Sequence, residues 1–233
     1  MSIFDSPNRR IVDLTAPIEP HWRYPITIQS VKSFENGNYL NIKAFDMRTH
    51  WYTHIDAPLH YVDGGKCLQD FDLLNMLIGK CSVLNISADI VPNGAITQEM
   101  LERAVGNRKM NEMVFLRTDW GKQRNWESKQ FWDDAPYMTK DAAVFIRELS
   151  PKVVGFDFPQ DYDIRRASLM PEAEVDFTTH EEILKHGILM IEYMNGLWNL
   201  KKDEVDVVAL PLPIPYADGA QIRVVAIEEV CEK

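Results

Sequence analysis

Cysteine is scarce in this sequence: three among 233 residues, Cys67, Cys81 and Cys231, with no CxxC pair. A secreted disulfide framework would be denser and even-numbered, so a reducing compartment is expected. No apolar run approaches the roughly 20 residues that span a bilayer. The opening MSIFDSPNRR also lacks the apolar core of a signal peptide. A cytoplasmic protein with no membrane partner is the expectation. No block of Lys or Arg is present either, and 25 basic against 35 acidic side chains leave a formal net charge of −10. Such a surface repels a phosphate backbone, so no nucleic-acid partner is expected. Low-complexity tracts, repeats and Pro/Gly/Ser linkers are missing as well. One domain over residues 1–233 follows, long enough at 45% hydrophobic content to bury a sizeable core.

Short β-rich runs recur: IVDLTAPI, NIKAFDM, CSVLNIS, MVFLRTDW, KVVGFDF, ILMIEYM, VDVVALPLPI and IRVVAI. They are rich in Val, Ile and Phe and bounded by Pro, Gly, Asn or Asp. KVVGFD and ILMIEYM are nearly continuous apolar runs, as strands covered on both faces require. Helical patterns lie between them. ITQEMLERAVG offers Thr97 as N-cap and Gly106 as a stop, and TKDAAVFIRELS offers Thr139 as a cap with Pro151 beyond its end. In TTHEEILKHG, Thr178 stands three residues before Glu181, the spacing of a capping box, and Gly187 closes the pattern. Strands alternating with helices predict an α/β domain with a mixed β-sheet and flanking helices.

The segment THWYTHIDAPLHYVDGG carries His50, His54, Asp56 and His60, three of the chain's six histidines within eleven positions. Imidazole nitrogen and carboxylate oxygen suit Zn²⁺, Mn²⁺ or Fe²⁺. All four share one parity and would face one side of a straight strand, but four strand residues cover roughly 13 Å, too far for both histidines to reach one ion. Pro58 and the Trp/Tyr/Thr content argue against a helix. A strand that breaks into a turn around residues 52–56 satisfies both demands, and Pro58 with Gly64 and Gly65 fits such a loop. A lone histidine is more often structural or solvated; four such groups crowded this closely favour a site. A second group lies near the C-terminal end. His180 opens the third helical pattern, and Glu192 interrupts ILMIEYM, where a buried carboxylate needs a partner, a proton or a metal. The competing reading is that Glu192 is the wet position of an edge strand.

These residues resemble a known family. His50-x-x-x-His54-x-Asp56-x-Pro58-x-His60 is similar to the HxGTHxDxPxH signature of the cyclase family, which includes kynurenine formamidase and isatin hydrolase. LRTDW, VGFDFPQDYD, the twelve-residue spacing of His180 and Glu192, and PYADGAQIRVVAI resemble further family segments in the same order. The resemblance implies a compact, swivelling β/β/α domain assembled as a homodimer or homotetramer. It implies one or two divalent metal ions per subunit, Zn²⁺ or Mn²⁺. His50, His54 and Asp56 would hold the first ion, and His180 and Glu192 the second, with Asp56 and Glu192 shared. His60 would be the acid/base. Tyr24, before Pro25, stands where kynurenine formamidase usually has a Trp that packs on substrate.

Departures from the pattern fall around the pocket. Tyr52 replaces a Gly that would make a tight turn without steric cost, and its side chain is placed to narrow the site. Gln160 and Gln221 stand where Ser and Pro are usual. Trp22, Trp51 and Tyr24 suit an apolar wall for a cyclic or aromatic small-molecule substrate, with a core or interface role as the alternative. His21 and His186 read as surface or structural. The expected reaction is hydrolysis of an amide, lactam or lactone, with N-formylkynurenine-type formamides and isatin-like imides as candidates and His60 moving the proton. The rival readings are a non-catalytic metal-containing binding protein and a lyase or cyclising enzyme on the same scaffold.

Overall fold

The computed structural model describes residues 8–165 and 175–229. The first seven residues of the opening segment and Cys231 lie outside them. The chain enters through β1 (Arg9–Asp13), projects the hairpin β2 (Thr27–Lys32) and β3 (Ile42–Asp46), and returns through the short β4 (His54–Asp56). Helix α1 (Leu73–Leu77) leads into β5 (Ile78–Asn85), β6 (Ala95–Ile96), α2 (Gln98–Val105) and β7 (Met113–Arg117). Two short helices, α3 (Trp120–Gln123) and α4 (Lys129–Asp133), precede β8 (Tyr137–Met138), α5 (Lys140–Glu148) and β9 (Val153–Phe156). Then come α6 (Thr178–Leu184), β10 (Leu189–Glu192), β11 (Glu204–Pro211) and β12 (Gly219–Glu229).

The expected mixed sheet is present, and it closes on itself. Its strand order is β1-β12-β11-β5-β7-β9-β10-β4, with a further pairing of β4 to β12. Strands β5, β7, β9 and β10 run parallel, whereas β11, β12 and β4 pair antiparallel. The apolar runs explain the parallel part: every residue of β9 and β10 is buried, as strands covered on both faces must be. β11 instead alternates buried with partly exposed positions.

Strand alternation sorts the core into two layers. Met113, Phe115, Val153, Leu189 and Ile191 join Ile55, Val207 and Val224 inside the closed sheet. Their neighbours Val114, Leu116, Val154, Phe156 and Met190 face the other way, into a layer that includes Leu101 of α2, Ile146 of α5 and Ile183 of α6. β4 obeys the same rule. Ile55 points into the barrel, so His54 and Asp56 point out of it, toward the helical layer.

Thr97 and Thr139 cap α2 and α5, accepting from the backbone N–H of Met100 and Ala142, as the sequence predicts. The predicted capping box at Thr178 does not form. Phe177 is the N-cap of α6, and Thr178 Oγ1 donates instead to Asp176 Oδ1 at 2.6 Å. The Asp161 carboxylate takes over the cap, accepting from Thr179 N at 2.5 Å and His180 N at 3.4 Å. An ionised carboxylate is the stronger acceptor at a helix N-terminus.

Candidate metal centre

The turn expected between His50 and His54 is present, and Tyr52 makes it at φ +58°. The backbone therefore adopts the left-handed conformation that a Gly would take freely, with Tyr in its place. Gln221 secures the turn: its Nε2 donates to the carbonyls of Arg48 and Thr49 at 2.7 and 3.1 Å, and to Trp51 O at 3.2 Å. Gly219 makes room for His50, because a Cβ there would lie 2.6 Å from His50 Cε1 and 2.8 Å from Ile55 O. Past the turn, β4 lies between β10 and β12, with His54 in register with both Glu192 and Gln221. Glu192 is 3% exposed and sits in a closed sheet, so the edge-strand alternative for it is overturned.

The geometry brings together all six residues expected at the centre. His54 Nε2 lies 3.1 Å from both Asp56 Oδ1 and Glu192 Oε2. His180 Nε2 lies 3.5 Å from Glu192 Oε1 and 4.0 Å from Asp56 Oδ2. His50 Nδ1 is 2.7 Å from Asp56 Oδ1, and the His60 ring stacks on His50 with centroids 3.7 Å apart. Potential ligand atoms of His50, His54 and Asp56, and of Asp56, His60 and His180, lie within 4.8 Å of one another in each set.

Three partners escaped the sequence reading. Asp161 Oδ2 accepts from His180 Nδ1 at 2.6 Å, Asp218 Oδ2 lies 2.8 Å from His50 Nε2, and Gln160 Nε2 donates to Glu192 Oε1. The only signal for Asp161 and Asp218 was that both fall in segments resembling the family; Gln160 showed only as a departure.

The tautomers follow from these contacts. His54 Nδ1 faces the Tyr52 carbonyl at 2.8 Å and must donate to it, just as His180 Nδ1 must donate to Asp161. Each histidine is thereby anchored through Nδ1 and aims Nε2 at the carboxylates, the arrangement that orients imidazole ligands. Buried His54 Nε2 and Asp56 Oδ2 make no hydrogen bond, although His54 Nε2 lies 3.1 Å from two carboxylate oxygens. A neutral His54 would point a lone pair at two carboxylates, and only a proton or a cation between them relieves that repulsion.

With the protein's own groups alone, burial depresses the His54 pKa, but the negative charges of the nearby Asp56 and Glu192 carboxylates raise it to about 10. His180 behaves alike: burial opposes its charge, and Asp161, Glu192 and Asp56 raise it to about 9. Asp56 is held well below the usual carboxylate range; burial resists this, and His54 and His50 impose it. His60 departs from the near-6.5 value expected of an ordinary histidine. Burial, reinforced by His50 and His180, lowers it to about 4 against the pull of Asp56.

The comparisons with known proteins follow the same line. The Cyclase family model matches residues 12–160, more than half of the chain. The chain belongs to the Cyclase family. It is 27% identical over 202 residues to a kynurenine formamidase from Bacillus mycoides, covering 86% of this chain and 87% of that one. Isatin hydrolase A from Labrenzia aggregata, solved with benzyl benzoate, superposes with a TM-score of 0.77 at 22% identity, covering 97% and 96% of the two chains. A Bacillus stearothermophilus protein described as a predicted metal-dependent hydrolase superposes at 0.68 with 24% identity, covering 94% of this chain and 98% of its own.

In this member of the Cyclase family, a cleft of about 830 Å³ leads to the centre, lined by Trp22, Tyr24, Trp51, Tyr193 and His50 among others. Trp22 and Tyr24 thus stand where a substrate wall is expected. Tyr52 does not: it is fully buried behind Tyr24, with ring centroids 5.0 Å apart, and its hydroxyl donates to Glu19 O at 2.5 Å. Its ring supports the wall from behind, because left-handed backbone turns the side chain into the helical-layer core. His21 is buried rather than superficial, stacked on Tyr24 and accepting from Arg23 N at 3.1 Å. Among the described residues the charged side chains lining the cleft are Arg23 and Arg48, and no carboxylate lines it.

Proposed function

We propose that this protein is a metal-dependent hydrolase that opens the C–N bond, or the related ester C–O bond, of a small cyclic or aromatic substrate. N-formylkynurenine-type formamides and isatin-like imides are the first candidates. The observation that carries the reading is the pair of anchored histidines, His54 and His180, whose Nε2 atoms aim at Asp56 and Glu192. That donor set fits a divalent cation, Zn²⁺ or Mn²⁺, because a cation stabilises the buried carboxylates that otherwise face imidazole lone pairs. His50, His54 and Asp56 would hold one ion, and His180 with Glu192 a second. When bound, such an ion lowers the pKa of water toward neutrality and polarises a carbonyl.

The protein's own residues supply the remainder. His60, with its pKa lowered to about 4, is a free base at neutral pH and is able to accept a proton from the attacking water. It then returns that proton to the leaving nitrogen or oxygen. Tyr24, Trp22 and Trp51 hold the substrate ring, and Arg23 and Arg48 attract oxygen-rich groups to the mouth. The kynurenine formamidase and isatin hydrolase relatives support the C–N class. A cytoplasmic setting is part of the same reading, supported by free, buried Cys67 and Cys81. Among the described residues no helix is long and apolar enough to cross a membrane.

The test is metal content by plasma mass spectrometry on tag-free wild type and Asp56→Ala, with turnover of N-formyl amides, cyclic imides and lactones in ¹⁸O-labelled water. One or two equivalents of metal lost in the mutant, with label in the product, is the expected result. Metal retained in Asp56→Ala would overturn the ligand assignment. Metal without turnover would favour a binding protein, and turnover without label a lyase.

A further inference from the structure

The cleft that leads to the metal centre is lined by positive charge in a chain whose net charge is −10. Arg23 and Arg48 line it, and among the described residues neither is paired with a carboxylate. Elsewhere Arg10, Arg117, Arg124 and Arg147 each face a carboxylate oxygen within 3.3 Å. The two cleft arginines are held by neutral groups instead. Arg23 donates to Ile164 O at 2.8 Å and lies 4.2 Å over the Trp132 ring, and Arg48 lies 5.7 Å over Trp51. Glu19 and Glu127 act on His21, and Asp218 is engaged by His50 at 2.8 Å; none of the three lines the cleft. A guanidinium in this state has donors to spare, and its planar fork matches a carboxylate through two parallel hydrogen bonds.

An orphaned hydroxyl lies beside them. Tyr24 lines the cleft and is 4% exposed, and its buried Oη has no hydrogen-bond partner. Burial raises this phenol well above its ordinary pKa, so it stays protonated and able to donate. A buried donor without an acceptor is rare in a folded protein and calls for one. Trp126 and Trp132, with ring centroids 6.3 and 5.8 Å from Tyr24, carry Nε1 groups that are likewise unpartnered. This wall therefore supplies hydrogen-bond donors and positive charge in excess of its acceptors.

We propose that Arg23, Arg48 and the Tyr24 hydroxyl form a carboxylate subsite, and that the substrate is an aromatic amide bearing a carboxylate and no ammonium group. The identity of the bond that is broken rests on the hydrolase reading; the subsite rests on the cleft alone. An ammonium group is disfavoured because the rings that would attract it by their faces already carry cations. Arg48 is over Trp51, Arg23 over Trp132, and Lys129 Nζ lies 5.6 Å from the Trp22 centroid. Both first candidates thus fit less well than an anion. An N-formylkynurenine-type formamide brings an ammonium group with its carboxylate, and an isatin-like imide is neutral and leaves both guanidiniums unmatched.

Three probes that share a formylated aromatic amine separate these cases on the metal-loaded full chain: N-formylanthranilate is an anion, formanilide neutral and N-formylkynurenine a zwitterion. Stopped-flow quenching of tryptophan fluorescence reads binding on mixing, before turnover, and kcat/KM is measured separately. N-formylanthranilate is expected to bind about tenfold or more tighter than formanilide, and more tightly than N-formylkynurenine. Added salt should narrow the first difference. Arg48→Gln, at an exposed side chain, and Arg23→Gln should each reduce the preference several-fold, and the double variant should abolish it. Arg48→Lys should keep part of it, and Tyr24→Phe should weaken it, with metal content and far-UV circular dichroism at wild-type values throughout. Equal binding of the three probes, or tightest binding of the zwitterion, overturns the proposal. A preference that survives in the double variant places the carboxylate on the metal and overturns it also. Preferential binding of the anion with no hydrolysis of any probe supports the subsite and overturns the hydrolase reading. Hydrolysis with a higher kcat/KM for formanilide than for N-formylanthranilate overturns the substrate class and leaves the hydrolase reading standing.

Discussion

Tyr52→Gly restores the small residue that the turn geometry favours, and the structure predicts that the protein is nevertheless weakened. Two effects oppose each other. Glycine relieves the left-handed backbone, worth about 1–2 kcal/mol for a residue with a Cβ. Against that, Tyr52 is fully buried, packs on Tyr24, and donates to Glu19 O. Deleting a buried aromatic of this kind costs about 3–5 kcal/mol. The net loss is about 1–4 kcal/mol, which for a chain of this length lowers Tm by roughly 2–16 °C. Tyr52→Ala separates the two contributions, since it leaves the same hole without relieving the backbone, and it should be about 1 kcal/mol less stable than Tyr52→Gly. Urea and thermal unfolding of the two variants beside wild type measure both quantities. The Tyr52 carbonyl that anchors His54 survives in either variant, so metal stoichiometry should not change. Equal stability of the Gly and Ala variants would refute the claim that positive φ at this position is strained.

The remaining predictions concern the centre itself. In metal-free protein the raised pKa values of His54 and His180, about 10 and about 9, contribute stability that is fully present below about 6.5 and is lost as pH rises through 9–10. His60 is neutral in both states across that window, so it does not offset the loss. Added Zn²⁺ should reverse the trend, because its ligands must be deprotonated; Tm against pH with and without metal reads both slopes, and parallel curves would contradict the assignment. His60→Ala should lower kcat by about 10²–10⁴-fold while keeping bound metal, and loss of the metal instead would make His60 a ligand. Gly219→Ala should displace His50, whose Cε1 lies 2.6 Å from the added Cβ, and weaken metal affinity by about 10–100-fold in competition titrations with a chelator. Unchanged affinity would show that His50 has room to move or is not a ligand.

How much of this was legible in the sequence follows from the range of each signal. Thr97 and Thr139 announced their helices because a cap acts over three residues. Thr178 misled for the same reason: the local pattern could not register a carboxylate arriving from residue 161. The six central residues were readable because crowding and collinear order survive in one dimension. Asp218 and Gly219 were not, since their roles depend on strands that meet only when β4 closes the barrel, and Asp161 was not, because its partner His180 stands 19 residues away on α6. Closure itself rests on β12 pairing with both β11 and β4, at Ile222–Ile227 and Gly219–Gln221 respectively. Strand propensity does not encode that choice of neighbours. Tyr52 shows a third limit, because its departure from the expected Gly was visible but the direction of its ring was not.

Barrel closure also explains how the two central carboxylates, Asp56 and Glu192, are held without a loop to carry them. Alternation along β4 commits Ile55 to the barrel core and His54 and Asp56 to the opposite face, and alternation along β10 does the same for Ile191 and Glu192. Packing of the core residues thus fixes the ligands to within the tolerance of a paired sheet, which is tighter than a surface loop provides. The electrostatic consequence is severe. Asp56 and Glu192 are buried and face each other's charge, a juxtaposition that destabilises the fold unless cationic histidines or metal ions compensate it. Apolar packing inside the barrel must therefore offset a centre that opposes folding until it is charged from outside. Hydrophobic substitutions at Ile55 or Ile191 should accordingly weaken metal affinity and stability together, whereas substitution of the half-exposed Trp22 on the cleft wall should alter substrate choice and leave both alone.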